Sequence, residues 1–283
     1  MIKFLDILKE SDDNIFIPRG SKEEKDKVLI RRINDKIQEY IRNGFKGDLD
    51  LRGSPIQFLP RNLTKVGGDL ILMYSQIEKL PDNFTVNGTL DLDSCKNLQS
   101  LPNGLKVKET LDLRDTNITF LPSDLEFGTN LKLMRSQIEK LPDNLIVNGD
   151  LWLDYCENIQ SLPNGLKVKD TLDLRNTNIT FLPTDIQVGK NLILMYTPIE
   201  KLPDNFTVNG ALDLDSCENL TSLPNGLKVK DVLDLRYTNI TSLPSDLEVG
   251  GDLILKNTPI ADMRSEDQIR YMVPGVKGNF KLK

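Results

Sequence analysis

The carboxylates Asp91, Asp93 and Asp112 are the side chains of this sequence best suited to binding a cation. Asp91 and Asp93 alternate with leucines, and Asp112 likewise stands between two leucines further along the chain. Carboxylate oxygens are the ligands that hard cations such as Ca²⁺ prefer. Arg114 follows Asp112 closely and is expected to neutralise the group. The sequence therefore favours an ion-paired patch over a metal site.

The same carboxylates offer an acid and base pair for catalysis. The 283-residue sequence contains no histidine, which removes the commonest general base and the commonest metal ligand. These residues are expected on an open sheet surface, which forms no closed pocket around a substrate. The sequence therefore predicts a protein that is not an enzyme and that uses no cofactor.

A second group of side chains is suited to binding another protein. It is centred on Trp152, the single tryptophan of the chain. Tryptophan, tyrosine and arginine bury a large area with little loss of entropy, and they dominate the energetics of protein interfaces. Drift after sequence duplication is the alternative explanation of the group. The predicted partner-binding residues are Lys132, Met134, Arg135, Trp152, Asp154, Tyr155, Arg175, Ile193, Met195 and Tyr196.

The cysteines Cys95, Cys156 and Cys217 recur once in every three sequence repeats. Strands of a sheet lie about 4.8 Å apart, so side chains three strands apart are separated by roughly 14 Å. A disulfide needs Cα atoms closer than about 7 Å, so neither a disulfide within the chain nor a shared metal is expected. The sequence predicts three reduced, buried thiols, which are typical of a reducing compartment.

A repeated strand positions all of these residues. Alternate side chains of a strand point to opposite faces. In the three-residue pattern of leucine, any residue and leucine, both leucines therefore turn inward and the middle residue turns outward. A unit this short cannot bury its apolar face alone, so neighbouring units must stack on one continuous core. The pattern begins at residues 49, 70, 90, 111, 131, 151, 172, 192, 212, 233 and 253.

The repeats recur in larger blocks, each made of three repeats, which begin at Asp69, Asn130 and Asn191. The middle block differs most from the other two on the outward positions. Trp152 and Tyr155 stand there where the other blocks have aspartate and serine. This departure is the reason for centring the predicted binding site on the middle block.

The repeat resembles the leucine-rich repeat. The shorter form of the unit reads L-x-L-x-x-(S/T)-x-I-x-x-L-P, with serine or threonine, as at Thr116, where that family usually has asparagine or cysteine. The short length and the recurrent Leu-Pro are similar to the repeats of bacterial effector proteins. The resemblance implies an α/β horseshoe-type solenoid with a parallel β-sheet on its concave face, and protein binding through that face. Proline after the third leucine, as at Pro122, predicts an extended, polyproline-like convex side.

The two ends of the sequence depart from the repeat. Ser21 and Glu24 form a capping box, and apolar residues recur at helical spacing from there to Asn43, which predicts an amphipathic helix. Near the other end, Ser265 is expected to begin a short helix and residues 279–282 to form a last strand. The predicted domains are a helical N-terminal cap at 1–47, eleven repeats at 48–260 and a C-terminal cap at 261–283.

Residues 1–10 allow a second interpretation of the N-terminus. They resemble the short amphipathic leaders of proteins packaged in the heads of large tailed phages, which a protease removes after Leu-x-Glu. Leu8-Lys9-Glu10 matches that motif. The simpler alternative is that these residues belong to the N-terminal cap. A leader would imply a phage protein of the virion, with a structural role or a role against host defence.

Composition and charge narrow the choice of partners. The net charge of -6, from 36 lysines and arginines against 42 aspartates and glutamates, argues against binding nucleic acid. No run approaches the roughly 18 apolar residues of a membrane span, and residues 1–10 do not resemble a secretory signal. The sequence thus predicts a cytoplasmic module, in the host cytoplasm or the virion if phage-encoded, that binds another protein. Its oligomeric state stays open.

Overall fold

The structure is a computed structural model that describes residues 21–283. The chain divides into two compact units, and each is described by itself. The N-terminal unit ends at Thr129, and the C-terminal unit spans Asn130–Lys283. The leader motif Leu8-Lys9-Glu10 lies outside the described residues, so the phage interpretation stays a prediction.

The N-terminal unit begins with the predicted helix, α1, which spans Lys22–Arg42. The capping box is present at its start. The Ser21 side chain accepts a hydrogen bond from the backbone N–H of Glu24, and the Glu24 carboxylate accepts one from the backbone N–H of Ser21. These two contacts satisfy donors that the first turn of a helix leaves without a partner, so the helix begins where the sequence predicts.

One face of α1 packs on the first repeat. Ile37 and Tyr40 are buried there. The Tyr40 hydroxyl donates to the carbonyl oxygen of Gly47 at 2.8 Å and accepts from the backbone N–H of Gly67 at 2.9 Å. The helix therefore covers the apolar end of the repeats, as expected of a cap.

Each repeat except the last contributes two strands of two residues, one on each side of the core. The leucine-containing strands have odd numbers and pair in parallel along each unit. In the N-terminal unit they are β1 (Leu49–Asp50), β3 (Leu70–Ile71), β5 (Leu90–Asp91) and β7 (Leu111–Asp112). In the C-terminal unit they are β9 (Leu131–Lys132), β11 (Leu151–Trp152), β13 (Leu172–Asp173), β15 (Leu192–Ile193), β17 (Leu212–Asp213), β19 (Leu233–Asp234) and β21 (Leu253–Ile254).

The opposite side of each repeat is extended, as the prolines predict, and also forms short parallel strands that the sequence pattern did not predict. In the N-terminal unit these even-numbered strands are β2 (Lys65–Val66), β4 (Thr85–Val86), β6 (Lys106–Val107) and β8 (Glu126–Phe127). In the C-terminal unit they are β10 (Ile146–Val147), β12 (Lys167–Val168), β14 (Gln187–Val188), β16 (Thr207–Val208), β18 (Lys228–Val229) and β20 (Glu248–Val249).

The core lies between the two sets of strands. Leu111 and Leu113 are both 0% exposed, and Val107, at the end of β6, is also buried. Burying one leucine side chain contributes about 1.5–3 kcal/mol, and every repeat supplies at least two, so the stacked leucines dominate the stability of the fold. The predicted solenoid with a parallel sheet is thereby confirmed in each unit.

The C-terminal unit ends in two helices and a strand. The helix α2 spans Pro259–Met263, α3 spans Glu266–Met272, and β22 spans Phe280–Lys281 and pairs with Leu253–Ile254 of β21. Ser265 caps α3. The predicted short helix and last strand are confirmed, whereas α2 was not predicted. Within residues 21–283 no helix has the length and apolar character needed to cross a membrane.

Candidate functional site

The outward surface of the leucine-containing strands, called the strand face below, has three positions in each repeat. They are the residue between the two leucines, the residue after the second leucine, and the residue after that. All ten predicted binding residues occupy these positions in the C-terminal unit. The first position holds Lys132, Trp152 and Ile193, the second Met134, Asp154, Arg175 and Met195, and the third Arg135, Tyr155 and Tyr196.

Trp152 lies in the middle of this group, because β11 pairs with β9 on one side and β13 on the other. Its direct neighbours on the two strands are Lys132 and Asp173. The Lys132 Nζ atom lies 5.5 Å from the centroid of the Trp152 ring. An ammonium group at this distance is attracted by the electron-rich face of the ring. The tryptophan and the lysine therefore present one amphipathic surface.

The third position of every repeat has a left-handed backbone conformation. Glycine adopts this conformation freely, but other residues are disfavoured by about 1–2 kcal/mol. Tyr155 and Tyr196 nevertheless occupy it and remain 47% and 56% exposed. Large side chains are thus held outward at a strained position. The residues concerned, with φ from 54° to 62°, are Gly53, Tyr74, Ser94, Asp115, Arg135, Tyr155, Asn176, Tyr196, Ser216, Tyr237 and Asn257.

The acidic patch of the N-terminal unit forms ion pairs with Arg114, as predicted. Arg114 Nη2 lies 3.1 Å from Asp93 Oδ2, and Arg114 Nε lies 2.8 Å from Asp112 Oδ1. Burial, with the charges of Asp112 and Asp93, raises the pKa of Asp91. Among residues 21–283 no group of three or more acidic, cysteine or histidine side chains is arranged to hold a metal ion. The patch is an ion-pair network.

Asp154 differs from its counterparts Asp93 and Asp215, which are just as buried, because it is only partly satisfied. Its exposed fraction is 8%, and no donor among residues 21–283 reaches its Oδ1 atom. Burial, followed by the charge of Asp173, raises its pKa despite the nearby arginines. Tyr155 replaces the serine that serves this oxygen in the other blocks. There the hydroxyl donates at 2.8 Å, from Ser94 to Asp93 and from Ser216 to Asp215.

The middle block loses a second hydrogen bond at Trp152. In the first block the Asp91 Oδ1 atom accepts the backbone N–H of Asp93 at 3.0 Å. The last block repeats this contact at 3.0 Å between Asp213 and Asp215. An indole cannot accept this bond. Trp152 and Tyr155 therefore each stand in place of a residue that makes a stabilising hydrogen bond in the other blocks.

We expect Tyr155→Ser to raise the free energy of unfolding by about 1 kcal/mol, because the serine hydroxyl can satisfy the buried Asp154 oxygen. Urea unfolding of the purified protein measures this change. The matched control is Tyr196→Ser, which makes the same substitution at a left-handed position beside Met195, where there is no carboxylate. Equal changes in the two variants would contradict the assigned role of Asp154.

Arg175 fixes the carboxylate of Asp173 beside this cluster. Its Nε atom lies 3.0 Å from each of the two Asp173 oxygens, and its Nη2 atom also contacts Oδ2. The Asp173 side chain is only 1% exposed, whereas that of Arg175 is 41% exposed. The hydrogen bond to Asp173 raises the pKa of Arg175. Arg175 thus holds the buried carboxylate of Asp173 in place, while part of its own side chain remains exposed at the surface.

The three cysteines are free and buried, which confirms the prediction of buried thiols. Each thiol donates to the carbonyl oxygen of a leucine in the preceding repeat, as Cys156 does to Leu133 at 2.9 Å. Burial raises the pKa of Cys95, Cys156 and Cys217 to about 11 in each case. The thiols are therefore protonated at neutral pH and poorly nucleophilic.

Short parallel strands stacked one repeat upon the next, with an extended opposite side, define a leucine-rich-repeat solenoid. No family model matches the sequence, and no curated protein matches it. Among solved structures, the chain is similar to YopM from Yersinia enterocolitica, with 17% identity over 99% of this chain and 71% of that chain and a TM-score of 0.45.

Two further solved structures align over most of the chain. The leucine-rich effector YopM from Yersinia pestis is 15% identical over 98% of this chain and all of its own, with a TM-score of 0.32. A leucine-rich-repeat protein from Leptospira interrogans is 16% identical over 86% of this chain and 98% of its own, with a TM-score of 0.22. The fold assignment rests on the repeat geometry of this chain.

Proposed function

We propose that this chain is a non-enzymatic module that binds another protein through the strand face of the C-terminal unit. The leucine-rich-repeat fold is typically an interaction scaffold, because stacked repeats present an extended surface. The observation that carries the proposal is the substitution of Trp152 and Tyr155 for residues that make hydrogen bonds in the other blocks. Selection for stability alone would tend to remove such costly residues, whereas selection for binding retains them.

The chemistry of the cluster supports an interface. Trp152 and Tyr155 supply aromatic area, while Lys132 and Arg135 supply charge around it. Buried aromatic anchors with a polar rim are the usual anatomy of a protein interface. Half-buried Met134, together with Ile193 and Met195 further along the strand face, extends the apolar part of the surface.

The side-chain types that most often catalyse reactions are either missing from the sequence or held in unreactive states, which supports a non-enzymatic role. The sequence has no histidine, and the thiols of the three cysteines are protonated. The carboxylates of Asp112, Asp173 and Asp234 are each bound by an arginine of the same repeat. We further propose a reducing compartment such as the cytoplasm, which three free thiols favour, and a partner that is neither nucleic acid nor membrane.

Photo-crosslinking tests the proposal. A benzoylphenylalanine introduced at position 155 should crosslink a partner from bacterial lysate, whereas the same residue at position 74 should not. Tyr74 is the matched control because it lies in the N-terminal unit, is also 47% exposed and has φ 58° against 60° for Tyr155. Mass spectrometry of the crosslinked bands identifies the partner.

The cluster itself is tested by Trp152→Ala combined with Arg135→Ala. Because residues at interface centres contribute about 2 kcal/mol or more each, we expect capture to fall at least tenfold while the thermal midpoint changes little. The matched control is Asp91→Ala with Tyr74→Ala, the equivalent positions of the preceding three-repeat block. Capture that survives the first pair of substitutions would contradict the proposal.

A phage protein carried in the virion is the alternative function, and Leu8-Lys9-Glu10 is the observation that favours it. Cleavage after Glu10 would give a mature N-terminus at Ser11. Mass spectrometry of the protein from purified phage particles measures this directly. Particles that lack the protein would contradict the alternative.

A further inference from the structure

Three tyrosines form a row on the strand face of the C-terminal unit. Tyr155, Tyr196 and Tyr237 occupy the left-handed position of alternate repeats and are 47%, 56% and 53% exposed. Their φ angles of 60°, 58° and 55° show that the rings leave the surface from equivalent backbone positions. Asn176 and Ser216, both with short polar side chains, hold the same position in the repeats between them. We call these three tyrosines the tyrosine row.

The spacing of the row follows from the strand ladder. The backbone N–H of Tyr155 donates to the carbonyl oxygen of Arg175 at 3.0 Å, and that of Tyr196 donates to Asp215 at 3.0 Å. The ladder of the parallel strands therefore continues through the tyrosine positions. Neighbouring strands lie about 4.8 Å apart, so successive tyrosines of the row are separated by about 9.6 Å.

This spacing selects one conformation of a bound peptide. A polyproline II helix has three residues per turn and rises about 3.1 Å per residue, so every third residue returns to the same face after about 9.3 Å. An extended strand returns to one face after about 6.8 Å, and an α-helix after about 5.4 Å. Of the three, the polyproline II helix matches the spacing most closely, because it places one equivalent residue of each turn against each tyrosine.

The groove between the first two tyrosines has the shape and charge for such a ligand. It has a volume of about 600 Å³ and is lined by Tyr155 on one side, Tyr196 on the other and Asn176 between them. Its charged lining residues are Glu157 and Glu218, which are both exposed. Two carboxylates on an aromatic groove complement a ligand that carries positive charge.

We infer that the tyrosine row binds a proline-rich segment of the partner, in the polyproline II conformation, with prolines at every third position and with arginine or lysine between them. Proline rings pack on tyrosine faces, and a segment already fixed in this conformation loses little entropy on binding. The inference rests on the proposed function, since it names the kind of partner segment that the strand face accepts.

Fluorescence anisotropy with synthetic peptides tests the inference on the full chain. The probe is a labelled peptide of four Pro-Pro-Arg repeats, and the comparison peptide is four Gly-Gly-Arg repeats of equal length and charge. We expect saturable binding of the proline peptide at least tenfold tighter than that of the glycine peptide. Equal affinities would mean attraction by charge alone and would overturn the inference.

Tyr196→Asn is the decisive variant, because asparagine occupies the same left-handed position at Asn176 and keeps the backbone intact. We expect this variant to bind the proline peptide at least tenfold more weakly. Tyr74→Asn, in the N-terminal unit, is the matched control and should change the affinity less than twofold. Glu157→Gln with Glu218→Gln should weaken binding at least threefold. Unchanged binding by Tyr196→Asn would overturn the inference, as would saturable binding of a neutral oligosaccharide in place of the peptide.

Competition separates this inference from the proposed function. The proline peptide should displace the protein that crosslinks at position 155. A crosslinked partner that the peptide does not displace would overturn the tyrosine-row inference and leave the protein-binding proposal standing. Peptide binding that depends on Tyr196 without any crosslinked protein would support the inference and count against the wider proposal.

Discussion

Arg175→Ala is expected to lower the free energy of unfolding by about 3 kcal/mol, which is the loss typical of removing one partner of a buried ion pair. The carboxylate of Asp173 is 1% exposed and lies in the middle of the strand face. Without the guanidinium, its remaining hydrogen bond comes from the backbone N–H of residue 175, 3.1 Å from Oδ1. Urea unfolding at pH 7 measures the loss.

The matched control is Arg52→Ala. Arg52 binds Asp50 with the same geometry, its Nε atom lying 3.0 Å and 2.9 Å from the two oxygens, but the Asp50 side chain is 32% exposed. A pair that water reaches contributes less than about 1 kcal/mol. Similar losses in the two variants would contradict the explanation by burial.

Acid should weaken the ion pair of Arg52 with Asp50. In the unsubstituted protein the pKa of Asp50 is lowered, because the hydrogen bonds and charge of Arg52 outweigh burial. That contribution is present at neutral pH and is lost as the pH falls through the folded-state value.

The leucine positions made most of the fold predictable from the sequence. Leu111 and Leu113 repeat at a nearly fixed interval, and burial of such leucines is strong enough to decide both strand position and stacking. The even-numbered strands were missed because the prolines predict a polyproline-like chain on that side, a conformation without backbone hydrogen bonds, whereas pairs such as Lys106–Val107 form parallel ladders with the next repeat. The helix α2 was missed because Thr258 and Pro259 still match the repeat; in the structure Thr258 caps that helix and Pro259 is its first residue.

The placement of the ten candidate residues on the strand face was predictable from the sequence, whereas their geometry was not. Alternation along a strand showed which residues face outward, and ion pairing of Arg114 with the acidic group was predicted from its place after Asp112. The left-handed position was missed because only four repeats, with Gly53, Asp115, Asn176 and Asn257, have a residue type typical of it, whereas the others have tyrosine, serine or arginine there. The burial of Asp154 was missed because it depends on side chains packed around it, and sequence periodicity does not report their conformations.

Alkaline pH is expected to destabilise the protein through its three thiols. Burial raises each thiol pKa from about 9 in the unfolded chain to about 11 in the folded protein. Between these two values the folded state keeps a proton that the unfolded state loses. The stability that the protonated thiols contribute is therefore complete below pH 9 and disappears as the pH rises toward 11. At pH 10 the loss is about 1.4 kcal/mol for each thiol, or about 4 kcal/mol for three.

The matched control for this prediction is provided by the repeat itself. Threonine holds the cysteine position in other repeats, where Thr177 donates to the carbonyl oxygen of Leu174 at 2.7 Å. The variant Cys95→Thr, Cys156→Thr, Cys217→Thr should keep the fold and lose the thiol-dependent part of the alkaline transition. Urea unfolding at pH 8 and pH 10 should therefore show a larger decrease for the unsubstituted protein than for the variant. Equal decreases would show that the thiols ionise as readily in the folded chain as in the unfolded one.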